Sequence, residues 1–163
     1  MVHREETDTV RRKDRALTDR QQIETIIERS TVCRIALFDS EFPYMIPMSF
    51  GYAGGRVYIH SAPEGKKIQL IKKDNRVCFE MEAEAELVEG ETPCRWSMRY
   101  SSVVGFGKAH LVENAEERRK GLEIIFRHYS RDPFDIPEES AGRVVVIRID
   151  VESMTGKASA PLS

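Results

Sequence analysis

No stretch of this 163-residue chain is apolar for the roughly 20 residues that a membrane helix needs. Neither sign of charge dominates either: 25 Lys and Arg against 27 Asp and Glu leave a formal net charge of −2. The first absence speaks against a membrane span, and the second against the basic groove that a nucleic-acid backbone calls for. No CxxC pair or Cys/His cluster accompanies the three cysteines, Cys33, Cys78 and Cys94. Their odd number and wide spacing argue against structural zinc and against a disulfide framework. Cys33 and Cys78 sit in strand-like runs, as small core thiols do, and Cys94 falls in a loop. G-x-G-x-x-G is missing, so no dedicated nucleotide domain is expected. The polar opening, Met1 to Asp8, is no signal peptide. The expectation is one cytoplasmic domain with its own core, without membrane, nucleic-acid or metal partners.

What is present is organised around Tyr58 to Lys73. Arg56 to His60 alternates as a strand, the chain breaks at Ser61-Ala62-Pro63-Glu64-Gly65, and a helical pattern starts at Lys66 with Ile68, Leu70 and Ile71 apolar. A glycine-containing loop that delivers two lysines to a helix start suits an anion, because free N–H groups and the positive end of the macrodipole meet there. An ordinary strand–turn–helix junction with a solvated lysine pair accounts for the same residues.

Upstream, Val10 to Arg15 is a charged arm, and Thr18 with Gln21 forms a capping box for a helix ending near Arg29. Val32 to Phe38 and Tyr44 to Tyr52 read as paired strands. Pro47 within the second marks an edge, a bulge or a backbone that faces a ligand. Arg76 to Val88 alternates most clearly: Phe79, Met81, Ala83, Ala85 and Leu87 on one face, Glu80, Glu82, Glu84 and Glu86 on the other. Glutamates spaced down a strand read as a solvated face rather than a metal site. A second long strand runs to Val112, with Gly105 and Gly107 allowing close approach or barrel curvature. Ala115 to Tyr129 is a helix with Leu122, Ile125, Phe126 and Tyr129 on its apolar face and His128 at the rim. Residues 131–140 read as a loop, Arg143 to Val151 as the last strand, and Met154 onward as a tail. The order predicts a mainly β fold with α, a six-stranded antiparallel Greek-key barrel with flanking helices. Residues 1–9 are expected as a flexible tail, 10–158 as the domain and 159–163 as a C-terminal tail.

Five segments in this order and spacing resemble one family: Arg11–Arg15, Pro43–Phe50, His60–Lys67, Tyr100–Ala109 and Thr155–Ala158. They are similar to the FMN-binding split barrels related to pyridoxamine 5'-phosphate oxidase, and within them to the subgroup named for nitroimidazole-resistance proteins. The resemblance implies a split β-barrel and a homodimer with FMN in grooves between subunits. It assigns Lys66 and Lys67 to the FMN phosphate, with His60, Ser61 and Ala62 beside them. Main-chain groups of Ile46, Pro47, Met48 and Ser49 would lie along the isoalloxazine, and Tyr100, Ser101 and Ser102 of the other subunit would close the pocket. His60 is the one imidazole in these motifs and the candidate for proton transfer. The tryptophan and arginine motif at the C-terminus of the pyridoxamine oxidases is not matched by Ser159-Ala-Pro-Leu-Ser163, so oxidation of the B6 vitamer is not expected. The implied function is that of an FMN-dependent oxidoreductase, reducing a nitro-aromatic or other small oxidised substrate. The alternative is a flavin- or haem-binding protein without turnover, for storage, sensing or sequestration, with His60, His110 and His128 as conceivable axial ligands.

Overall fold

The computed structural model describes residues 11–160, so the expected tail at 1–9 and the end of the other, 161–163, lie outside the described residues. After a 3-10 turn at Lys13–Arg15 come β1 (Ala16–Leu17), α1 (Arg20–Arg29), β2 (Cys33–Leu37), β3 (Tyr44–Met48), β4 (Phe50–Ala53) and β5 (Arg56–Ser61). Then follow α2 (Lys66–Lys73), β6 (Arg76–Val88), β7 (Ser97–Leu111), α3 (Ala115–Tyr129), α4 (Glu138–Gly142) and β8 (Val145–Ala158).

All the pairings are antiparallel, and the sheet runs β3-β2-β6-β7-β8-β5-β4 with β1 added on β8. Its two outermost strands, β3 and β4, are consecutive in the chain and separated by Ser49 alone. A sheet whose opposite ends are joined by one residue must curl until they meet, which makes a barrel split along that seam. The expected architecture is therefore present, with eight strands instead of six. Tyr44 to Tyr52, read as one strand, is two, because the chain leaves β2 after Met48 and takes up β5 from Phe50. The last strand does not stop near Val151 but continues to Ala158. There β1 pairs with Gly156 and Lys157 on one side, and β7 holds the other. This two-sided pairing carries a stretch whose Gly and Lys are poor strand formers.

Three local expectations also change. The N-cap of α1 is Asp19, whose carboxylate accepts from Gln21 N at 3.0 Å, so the Thr18 capping box is not formed. The end of the expected 131–140 loop is taken up by α4. Phe126 and Tyr129 are 46% and 45% exposed, while Leu122 and Ile125 are buried. Tyr129 is instead a polar strut: its hydroxyl accepts from Phe50 N and donates to the carbonyl of Thr31, both at 2.9 Å, beside the seam.

Strand alternation sends Ile35, Leu37, Phe79, Met81, Val103, Ile147 and Ile149 into the barrel, and α1 adds Ile23, Ile26 and Ile27. Gly105 faces inward too. A Cβ there would lie 2.1 Å from Phe79 Cζ, so the Phe79 ring occupies the space of the missing side chain. A register shift between Phe106 and Gly107 adds the bend. A second cluster, with Tyr58, Leu122, Ile125 and Val146, forms where α3 packs on the outside of β4, β5 and β8.

The other outer face, on β3, β2, β6 and β7, carries no helix among the described residues. Register places Met45, Ala36, Cys78, Phe106 and Ser153 in one cross-strand row, and Pro47, Arg34, Glu80, Val104 and Thr155 in the next. The alternation of β6 breaks at a bulge between Glu82 and Glu84. Beyond it Ala85 and Leu87 pair with Tyr100 and Met98, and Ala85 and Leu87 are exposed instead of buried. The glutamates lie on the surface in ion pairs: Glu80 with Arg34 at 3.0 Å, Glu84 with Arg29 at 2.7 Å and Glu86 with Arg99 at 3.6 Å. No helix among the described residues is long and apolar enough to cross a membrane.

Candidate functional site

At one end of the barrel, α2 starts at the expected Lys66. Its cap, Gly65, has φ +119°, a conformation open to glycine at little cost, and nothing lies within 4 Å of where a Cβ would be. No side chain caps the helix, and the main-chain N–H groups of Lys66 and Lys67 have no partner among the described residues. The two lysines differ. Lys66 Nζ is 2.6 Å from Asp39 Oδ2 and lies 4.9 Å from the ring centroid of Tyr44. The hydrogen bond from Lys66 holds the Asp39 carboxyl below its ordinary range. Lys67 Nζ donates to Ser61 Oγ at 2.9 Å and has no carboxylate partner among the described residues. Ser61 is buried, and its hydroxyl donates a hydrogen bond to the Ala62 carbonyl at 2.9 Å. An uncompensated ammonium beside two free amides can hold an anion.

Lys66 stacks on Tyr44, the first residue of β3, so this end adjoins the strand that carries Ile46, Pro47 and Met48. Among the described residues that strand pairs with β2 only, which leaves its other edge without a strand. Pro47 therefore removes no ladder donor from a neighbour, as an edge position permits. Ile46 and Met48 are half-buried, Pro47 is exposed on the helix-free face, and Ser49 is the seam residue. His60 precedes the inward Ser61, so it faces the other side of β5, in register with Val146.

Tyr100, Ser101 and Ser102 lie far from that end. Lys66 sits by Tyr44, whose register row ends at Gly107 on β7 through Leu37 and Val77. Tyr100 is seven residues further along β7, roughly 23 Å at strand spacing. Ser101 is buried, faces inward, and its hydroxyl has no partner among the described residues. Tyr100 and Ser102 face outward. Within one chain the structure thus brings Lys66, Lys67 and Ser61 together next to β3, and leaves Tyr100–Ser102 apart from them.

Concave surface lies elsewhere. A cleft of about 850 Å³ between α1, α3 and β4 contains Glu28, Tyr52, Lys120 and Arg127, with His128 of the haem reading at its wall and none of the residues expected at the flavin. A mainly apolar cleft of about 430 Å³ on the helix-free face is lined by Ala36, Phe38, Asp39, Phe42, Cys78 and Phe106. Asp39 links it to Lys66. Sequence reasoning missed Asp39 and Tyr44 as partners of Lys66, and Arg15 and Lys157 as partners of Tyr100. The signal for the last two was in the sequence: both lie in segments that carried the resemblance, without a role there.

The family model described as pyridoxamine 5'-phosphate oxidase matches residues 19–158. Among solved structures, the chain is similar to a candidate 5-nitroimidazole antibiotic resistance protein from Bacteroides thetaiotaomicron. Identity is 38% over 87% of this chain and 85% of that one, with a TM-score of 0.78. The fold is also that of the flavocytochrome Anf3 from Azotobacter vinelandii, at 15% identity over 94% and 73% of the two chains and TM-score 0.81. A FAD- and haem-binding protein from Mycobacterium smegmatis matches at 15% identity over 90% and 74%, TM-score 0.80. At such identity these two bear on the fold alone. No curated protein matches the chain.

Proposed function

The chain belongs to the pyridoxamine 5'-phosphate oxidase family, and from that membership we propose that it is an FMN-dependent oxidoreductase whose flavin lies in a groove shared by two copies of the chain. The observation that carries this reading is Lys67, which has no carboxylate partner among the described residues, beside N–H groups at the start of α2 that likewise have no partner there. Those groups fit a phosphate. Lys67 and the two amides would hold it, with Ser61 orienting the ammonium and Ala62 closing the loop. Lys66, already half neutralised by Asp39, is the weaker contributor. The free edge of β3 at Ile46, Pro47, Met48 and Ser49 would present main-chain groups to the ring system. FMN would supply hydride or single-electron transfer there, chemistry that no side chain of this protein performs.

Tyr100, Ser101 and Ser102 would close the groove of the partner copy, since they cannot reach that of their own chain. Ser101 would act through its main chain and Tyr100 and Ser102 through outward side chains. A homodimer also gives the helix-free face a cover. That face carries exposed Met45, Val104 and Phe106, and the arm beyond the bulge adds Leu87 and Met98. His60 is the candidate proton donor or acceptor near the flavin. A nitro-aromatic or other small oxidised compound is the proposed substrate class, supported by the name of the Bacteroides protein. Three free thiols suit a reducing cytoplasm.

A binder without turnover is the second reading, because the Lys67 cradle would hold a phosphate whether or not the bound group reacts. Two of its axial candidates are engaged: His110 Nε2 lies 3.5 Å from Asp150 Oδ2, and His128 Nε2 lies 2.6 Å from the Ser30 carbonyl. Anaerobic mixing with NADH or NADPH separates the two readings. Bleaching of the flavin, followed by reoxidation on adding a nitroimidazole, is the expected result. A flavin that stays oxidised favours the binder, and protein that neither carries nor takes up FMN refutes both flavin readings.

A further inference from the structure

Cations on the sheet of this protein mostly lie against carboxylates: Arg34 on Glu80, Arg56 and Arg148 on Asp150, Lys108 on Glu152. Arg15 and Lys157 do not follow the pattern. Lys157 makes no ion pair among the described residues. The carboxylate nearest Arg15, Asp14 at 3.9 Å, is already gripped by Arg12 at 2.7 Å. Instead both converge on one phenol. Arg15 Nη1 donates to the Tyr100 hydroxyl at 3.3 Å, and Arg15 Cζ and Lys157 Nζ each lie 5.9 Å from the Tyr100 ring centroid. Strand register builds the cluster. Lys157 pairs with Ala16 on one side, which places Arg15 next to it, and with Ser102 on the other, two residues from Tyr100. Ser159 fixes Tyr100 from below, its Oγ accepting from Tyr100 N at 2.9 Å.

Two like charges brought together on a neutral ring repel, and partial burial deprives them of solvent screening. The Arg15 hydrogen bond, and then the charge of Lys157, hold the Tyr100 hydroxyl below its ordinary range, which marks the local field as positive. An oxyanion would relieve that field, with the Arg15 fork binding it in two-point fashion, Lys157 as a point charge and the phenol as donor.

We propose that Arg15, Lys157 and the Tyr100 hydroxyl form a receptor for the carboxylate, or like oxyanion, of a small substrate, so that the compound reduced at the flavin is an anion. The proposal rests on the flavin reading, in which Tyr100 and Ser102 wall the groove. The other source of an oxyanion there is the phosphate of FMN itself, and the experiment separates the two.

Benzoate, which has no group for the flavin to reduce, is titrated calorimetrically into FMN-loaded protein, and FMN affinity is measured in parallel. Arg15→Met and Lys157→Met are each expected to weaken benzoate by about tenfold, as loss of a charged hydrogen-bond partner does, with FMN affinity unchanged. Lys157→Gln serves if the methionine variant does not fold by circular dichroism. Equal benzoate affinity in wild type and variants overturns the proposal. So does a loss of FMN affinity with benzoate unaffected, which assigns the cations to the cofactor phosphate. If the wild type takes up no FMN, the flavin reading has failed and the receptor is tested on the flavin-free protein. Benzoate bound there and lost in the variants sustains it, and no binding overturns it.

Discussion

The hairpin of β6 and β7 is two structures on one pair of strands. From Arg76 to Glu82 it is flanked by β2 and β8, and Val77, Phe79 and Met81 are buried. From Glu84 to Val88 its only strand partner among the described residues is 97–101 of β7, and Leu87, Val88 and Met98 stand 56%, 41% and 43% exposed. The sequence alternates as regularly in the second half as in the first. Alternation reports a strand with two unlike faces; it does not report what covers the apolar one. In the first half the cover is the barrel, whereas in the second no described residue supplies it. A two-stranded ribbon alone is marginal in water.

The largest expected effect breaks the barrel half. Phe79→Ala should cost about 3–5 kcal/mol, through lost burial and the cavity left against Gly105, as read by chemical denaturation. Gly105→Ala, which drives a methyl into the Phe79 ring, should cost about 1–3 kcal/mol. Leu87→Ala, in the arm, should change the stability of the chain by no more than about 0.5 kcal/mol but weaken self-association in sedimentation. A Leu87 variant as destabilised as Phe79→Ala would show that the arm folds onto its own chain.

Next in size is the contrast between the two lysines. Lys67→Ala is expected to raise the FMN Kd about tenfold or more, measured by flavin fluorescence quenching, because it removes the uncompensated charge. Lys66→Ala should do less, since its charge is shared with Asp39. Equal effects would mean that Asp39 lets go of Lys66 when the phosphate binds.

The smallest effect is acid-dependent. The Asp39 carboxyl is held below its ordinary value of 3.8 by Lys66. A depressed carboxyl contributes stability that is fully present above that value and fades as pH falls through the lower folded value. Asp39→Asn should therefore be slightly less stable than wild type at neutral pH and equal to it in strong acid. A difference that persists at the lowest pH would assign the loss to packing rather than charge.

Local periodicity made several elements legible. The bounds of β6 and α3 and the start of α2 at Lys66 follow from alternation, the 3.6-residue repeat and the break at Pro63–Gly65. What was not legible is set by distant partners. Nothing in Met-Ser-Phe marks Ser49 as the point where the chain exchanges β2 for β5. Gly156 and Lys157 become strand only because β1 and β7 lie on both sides. Ala85 and Leu87 were assigned to a buried face because the bulge at Ala83 has no local signature. The split of the barrel and the flavin as the anion's owner came from the resemblance instead, and the meeting of Arg15, Tyr100 and Lys157 needed three strands in register.

The central claim is a flavin site divided between two copies of the chain, and sedimentation velocity of FMN-loaded protein, followed at the visible absorbance of the flavin, tests it most directly. The account predicts that flavin migrates with a species of twice the chain's mass, at one FMN per chain. Flavin bound to a single chain, or a dimer that carries none, would contradict it.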